Sequence, residues 1–179
     1  MSRIATVVID MLNPYDHEDG EELAEQVKGR IEPLQKLIEQ TCDTDGAELI
    51  YVNDNFGDFT ATSKDIGEAA MKGNHPELIE PILPPKNTLF VQKVRHSAFY
   101  STSLDHLLRE HEIEEVVLAG QVTEQCILYS ALDAYVRGFD VRIPSDAVAP
   151  IIPELGDAAL KMMERNMSAH VAPAAEALK

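Results

Sequence analysis

EEVVLAGQVTEQCILYSALDAYVRGFDVRIP (Glu114–Pro144) decides the fold. It opens with an apolar, β-branched run ending at Gly120, continues with a helical pattern from about Glu124 to Gly138, and closes on a second short apolar run, DVRIP. A strand, a helix and a strand of this length make one βαβ unit, and such a unit requires a parallel sheet with the helix packed on a face.

The same alternation extends in both directions. Upstream, IATVVID (Ile4–Asp10), AELIYVN (Ala47–Asn53) and TLFVQK (Thr88–Lys93) read as strands. The first is apolar on both faces, as a central parallel strand must be. Between the first two, Leu23, Val27, Ile31, Leu34, Leu37 and Ile38 share a helical face over about Glu21 to Cys42, with Pro33 predicting a kink or break. NDNFGDF reads as loop, HPELIEPILPP (His75–Pro85) as a short helix stopped by proline, and Ser101–His111 as a helix. Downstream, Pro153–Asn166 is predicted helical, and SAHVAP is a candidate sixth strand. The expected architecture is α/β, with helices on both faces of a parallel sheet and a ligand crevice at the carboxyl ends of the strands.

Composition narrows the function classes. The 179 residues fit one domain, 1–179, with a full core. Fifteen Lys+Arg against 31 Asp+Glu give a formal net charge of -16, which repels nucleic-acid phosphates and anionic membrane surfaces. A small-molecule substrate is the expected partner. No apolar run reaches membrane-spanning length. Cys42 and Cys126, the only cysteines, lack metal-site or disulfide spacing, and the six histidines form no HxH or HExxH pair. A reducing cytoplasm, no metal and no cofactor are the expectations.

Three residues stand where chemistry is expected. Asp10 ends the first strand, Lys93 the third, and Cys126 follows the fourth. Thr123 reads as an N-cap, placing Cys126 in the first helical turn, where the dipole and free N–H groups favour a thiolate. Cys126 is equally a packed hydrophobe on position alone, Asp10 a turn residue and Lys93 an ordinary strand-end lysine. Together they offer a thiol, a carboxylate to take its proton and a lysine to hold both charged. Tyr129 reads as helix packing. Cys42, among Thr41, Asp43 and Asp45, is an unremarkable thiol for comparison.

VVIDMLNP, YVNDNFGDF, KVRHSAFYST and LAGQVTEQC, in that order and spacing, resemble the isochorismatase-like cysteine hydrolase superfamily over about Ile4 to Val148. The resemblance implies a three-layer α/β/α fold with a six-stranded parallel sheet in the order 3-2-1-4-5-6. It implies an Asp10–Lys93–Cys126 triad and a cis peptide between Gln121 and Val122. The backbone N–H groups of Val122 and Cys126 would form the oxyanion hole. The implied reaction is hydrolysis of a small amide, carbamoyl or related C–N bond through a thioester. Dimers or tetramers are common in the family, so a homo-oligomer is expected. Nicotinamidases of this family carry an aspartate and two histidines on a metal in the loop after the second strand; NDNFGDF has no histidine. Isochorismatases proper cleave a vinyl ether without the cysteine, which leaves Asp10 as a general acid for the alternative reaction; outside enzymes, the alternative is a non-catalytic α/β domain acting through an interface. Asn13, Phe56, Arg95 and Phe99 lie near the matched motifs and are candidate pocket walls. Arg95 is a candidate cation for a carboxylate-bearing substrate, or a surface arginine. Phe56 and Phe99 stack on substrate or close the core.

Overall fold

The computed structural model describes residues 3–179. Its centre is β1 (Arg3–Ile9), whose last five residues are buried. Such a strand satisfies its backbone on both sides and its side chains on both faces. It pairs in parallel with β2 (Ala47–Asp54) on one side and β4 (Ile113–Gln121) on the other. The edges are completed by β3 (Leu89–Lys93), β5 (Asp140–Pro144) and β7 (His170–Ala172), giving the order β3-β2-β1-β4-β5-β7. This is the order the resemblance implies, with SAHVAP supplying the last strand.

A further two-residue strand, β6 (Val148–Ala149), pairs with Gly120 and Gln121 of β4. The β5 pairing stops at Val117, so the carboxyl end of β4 is carried by the segment after β5. Two residues are too few for an apolar-run signal, and β6 was not legible in the sequence.

Successive β1 side chains point to opposite faces. Ala5, Val7 and Ile9 join one core, with Leu104 and Leu108 of α5 (Leu104–Glu110), Ala131 and Ala134 of α6 (Leu128–Val136), and Met163 of α7 (Pro153–Met167). Val8 joins the other, with Leu23 and Val27 of α1 (Gly20–Lys28), Leu34 and Leu37 of α2 (Ile31–Asp43), and Ile79 of α4 (Pro76–Ile79). The result is three layers, helices on both faces of the sheet. Among the described residues no helix is long and apolar enough to cross a membrane.

Two expectations need correction. The long helix over residues 21–42 is two helices, and the break is at Gly29 and Arg30 rather than Pro33. Pro33 is the third residue of α2, where a backbone N–H has no intrahelical acceptor to lose. Arg30 pins the break, its Nε donating to the Val148 carbonyl at 2.7 Å. The segment after NDNFGDF also forms a helix, α3 (Ser63–Met71), that hydrophobic periodicity did not reveal. Its signal is a capping box: Thr62 accepts from the Asp65 N–H, and Asp65 accepts from the Thr62 N–H at 2.8 Å.

Candidate active site

The carboxyl ends of β1, β3 and β4 converge on a cavity of about 390 Å3, whose walls include Asp10, Lys93 and Cys126. Gly120 makes the convergence possible. Its φ is +114°, and a Cβ there would lie 2.2 Å from the Ile9 carbonyl oxygen. Only glycine allows β4 to pass this close to the end of β1 while turning.

Asp10 follows β1 in a left-handed conformation, φ 54°. Its N–H donates to the Val52 carbonyl at 2.9 Å, and its own carbonyl accepts from Gln121 Nε2 at 2.7 Å. Its Oδ1 accepts from the Asp54 N–H at 2.8 Å. The residue is tied to both neighbouring strands, so its carboxylate is aimed before any substrate arrives. Gln121 is itself held, its Oε1 accepting from the Tyr15 hydroxyl at 3.3 Å.

Lys93 is 2% exposed, an unusual place for an ammonium. Its three N–H bonds have three acceptors. They are Asp10 Oδ2 at 2.7 Å, the Arg95 carbonyl at 3.0 Å and Cys126 Sγ at 3.6 Å. Asp54 Oδ2 stands 3.8 Å away. Burial alone would depress the lysine pKa. Asp10, Cys126 and Asp54 together outweigh burial and raise it, so the lysine is held as a cation.

Cys126 does not sit as the capping argument expects. Thr123 opens a π turn, Thr123–Ile127, and Val122 precedes it as the cap residue. The Val122 carbonyl accepts from the Ile127 N–H at 3.1 Å, the five-residue spacing of a π turn. The Thr123 hydroxyl is buried without a hydrogen-bond partner, so it caps nothing. The electrostatics differ too. Burial, with the nearby Asp10 charge, pushes the Cys126 thiol up to about 12, against the smaller opposing effects of Lys93 and the Val122 N–H. Burial and the Asp10 charge thus favour the protonated thiol over the thiolate. Burial likewise raises the Asp10 carboxyl, with Lys93 the largest influence opposing it. The Gln121–Val122 peptide is cis.

The structure separates the four candidate wall residues. Asn13 and Phe56 line the cavity, Phe56 half-exposed at its rim. Phe99 does not: it is buried in the α5–α6 core, its ring 6.2 Å from that of Phe139. The Arg95 side chain is exposed and absent from the cavity wall; its carbonyl serves Lys93 instead. Tyr129 is also half-exposed rather than packed, its ring 5.6 Å from His96.

Several wall residues were not singled out from the sequence. His96 brings Nδ1 to 3.9 Å from Cys126 Sγ. Asp19, Asp54, His17 and Gln125 complete much of the polar lining. Asp54, His96 and Gln125 fall inside the matched motifs, whereas no local pattern marks His17 and Asp19. A larger hollow of about 540 Å3, between α3 and residues 83–90, is mostly apolar and contains none of the converging groups. Among the described residues no cluster of three or more His, Cys, Asp or Glu is placed to hold a metal ion, and the Asp54 loop offers no imidazole. The side chains present do not fit a resident metal.

Comparison with known proteins places these features in context. The family model described as the isochorismatase domain matches residues 5–176. An uncharacterised isochorismatase family protein of Bacillus subtilis is 31% identical over 167 residues, 93% of this chain and 92% of its own. The crystal structure of an isochorismatase-like hydrolase from Alkaliphilus metalliredigens superposes with a TM-score of 0.80 at 26% identity, covering 99% of this chain and 95% of that one. N-carbamoylsarcosine amidase from Thermoplasma acidophilum superposes with a TM-score of 0.72 at 30% identity, covering 97% and 98%.

Proposed function

Because this chain belongs to the isochorismatase family and is one of its hydrolases, we propose that it cleaves a small amide, carbamoyl or related C–N bond, with Cys126 as nucleophile. The observation that carries this reading is the Lys93 ammonium, 2.7 Å from Asp10 Oδ2 and 3.6 Å from Cys126 Sγ. One buried cation is thereby shared between the base and the nucleophile.

The steps follow from the groups present. Asp10 takes the proton of the Cys126 thiol, and the sulfur adds to the substrate carbonyl. Lys93 offsets the negative charge as it moves from carboxylate to sulfur. The Val122 N–H and the Cys126 N–H then receive the developing oxyanion, each worth roughly 10²–10³ in rate. The C–N bond breaks as Asp10 passes its proton to the leaving nitrogen, leaving a thioester on Cys126. Water then gives one proton to Asp10 and its hydroxyl to the acyl carbon. The C–S bond breaks, the acid departs, and Asp10 returns the proton to the sulfur.

A second reading keeps Asp10 as a general acid acting on a vinyl ether. Burial favours it, because burial raises the Asp10 carboxyl and so its protonated fraction. Ammonia release from a panel of amides and carbamoyl compounds, by wild type and Cys126→Ala, separates the two. The amide reading expects release that Cys126→Ala abolishes, and a trapped acyl adduct of Cys126 by peptide mass. Vinyl-ether cleavage that survives Cys126→Ala, with no amide turned over, would replace it.

A further inference from the structure

The cavity wall carries three carboxylates, Asp10, Asp19 and Asp54, against one ammonium, Lys93. Carboxyl groups thus outnumber the ammonium three to one around the reacting atoms. No arginine lines the cavity among the described residues. The single ammonium also has nothing to offer a substrate anion, since Asp10, the Arg95 carbonyl and Cys126 take its three N–H bonds. Arg95, the sequence's candidate for that task, turns its side chain outward.

The two remaining carboxylates are differently placed. Asp54 Oδ1 accepts from the Phe56 N–H at 2.7 Å, which fixes the carboxylate beside the rim formed by Phe56. Asp19 precedes α1 but its side chain caps none of that helix's N–H groups. It lines the same cavity as Leu23 and Asp54. A substrate bound at Cys126 shares the cavity with both carboxylates. The net charge of -16 on the whole chain adds to the same field.

We infer that the site selects amides whose remaining part is cationic or uncharged and rejects those bearing a carboxylate, with Asp19 and Asp54 as the specificity-determining residues. The inference rests on the amide reading for its substrate class, while the selectivity itself arises from the walls. Rejection works here by repulsion, which is selection against a competitor rather than for a partner.

The test uses reagents that must cross the cavity to reach Cys126. Iodoacetate, iodoacetamide and (2-bromoethyl)trimethylammonium alkylate Cys126 in the intact protein at pH 9, read by peptide mass. Each rate is divided by that of the same reagent on N-acetylcysteine amide, which removes intrinsic reactivity. The expected iodoacetate-to-iodoacetamide ratio is roughly tenfold below that of the free thiol, with the cationic reagent favoured. Asp19→Asn raises the iodoacetate ratio several-fold, Asp54→Asn does so independently, and added salt compresses the differences. A ratio at or above that of the free thiol overturns the inference. Benzamides carrying a meta carboxylate, hydroxymethyl or aminomethyl group supply a second readout in kcat/KM, and fastest turnover of the carboxylate overturns it equally. Failure to form any acyl-enzyme, with the alkylation ratios as expected, would count against the amide reading and leave the charge selection standing.

Discussion

Lys93 reaches Asp10 across an intervening strand: β3 and β1 both flank β2, yet Nζ lies 2.7 Å from Oδ2. Two strand spacings are about 10 Å, so only a long side chain projecting over the end of β2 closes the gap. The β2 end helps, because the Asp54 N–H holds the other Asp10 oxygen at 2.8 Å. The pair is thus a tie across three strands as well as a charge pair.

Replacing Lys93 by methionine keeps the buried stem and removes the charge. The lysine lowers the Asp10 pKa against burial, so its loss raises that pKa further. The acid limb of the pH–rate profile should move to higher pH, and kcat/KM for amide hydrolysis should fall about 10²–10⁴-fold, the scale of a lost acid–base system. Steady-state rates from pH 4 to pH 10 (roughly the range bracketing a buried carboxylate) measure both. An unmoved acid limb would separate Lys93 from Asp10 functionally.

Alkylation of Cys126 by iodoacetamide should keep rising past pH 10, as a thiol pushed up to about 12 requires. Asp10→Asn should shift that rise to lower pH, because the Asp10 charge is among the causes holding the thiol proton. Cys42, exposed in the last turn of α2, serves as reference within the same chain. A Cys126 rate that levels off below pH 8 would mean a resting thiolate, and the proton transfer to Asp10 would lose its role.

Gly120→Ala should destabilise the protein by about 2–4 kcal/mol, the combined cost of a strained φ and a displaced strand end. The new Cβ would stand 2.2 Å from the Ile9 carbonyl oxygen at a φ of +114°. Urea unfolding midpoints give the value. A cost under 1 kcal/mol would mean that the β1–β4 junction yields easily.

Glu124 ties the π turn that carries Cys126 to the loop before α7. Its Oε1 accepts from the N–H groups of Ile151 and Ile152 at 3.0 and 2.9 Å, and Ile151 lines the cavity. Glu124→Ala should cost about 1–2 kcal/mol, as loss of a helix-capping acceptor does. Glu124→Gln, which retains an oxygen acceptor, should cost less than half as much in the same urea experiment. Equal losses from the two variants would mean that charge, not the paired acceptor, holds the loop.

What was legible in the sequence was local. Apolar β-branched runs such as IATVVID and EEVVLAG announce buried parallel strands because side-chain alternation and burial act over a few residues. The strand ends then place Asp10, Lys93 and Cys126 on one edge before any coordinate is known. The π turn was not legible, because Thr123 is as good a cap as any by its own chemistry, and only the packing around Cys126 makes it a buried, unpaired hydroxyl. Phe99 and Arg95 sit close to Lys93 in sequence, yet one turns into the core and the other out to solvent. Side-chain direction after a strand end depends on what the next segment packs against. Protonation was equally out of reach: Cys126 alone at a helix start favours a thiolate, while Cys126 buried against Asp10 favours a thiol. The sequence by itself determined the sheet, the edge and the three groups. The tertiary structure decided which cavity they share, which acids surround it and where the proton rests, because charge and desolvation are set by residues that meet only when the chain has folded.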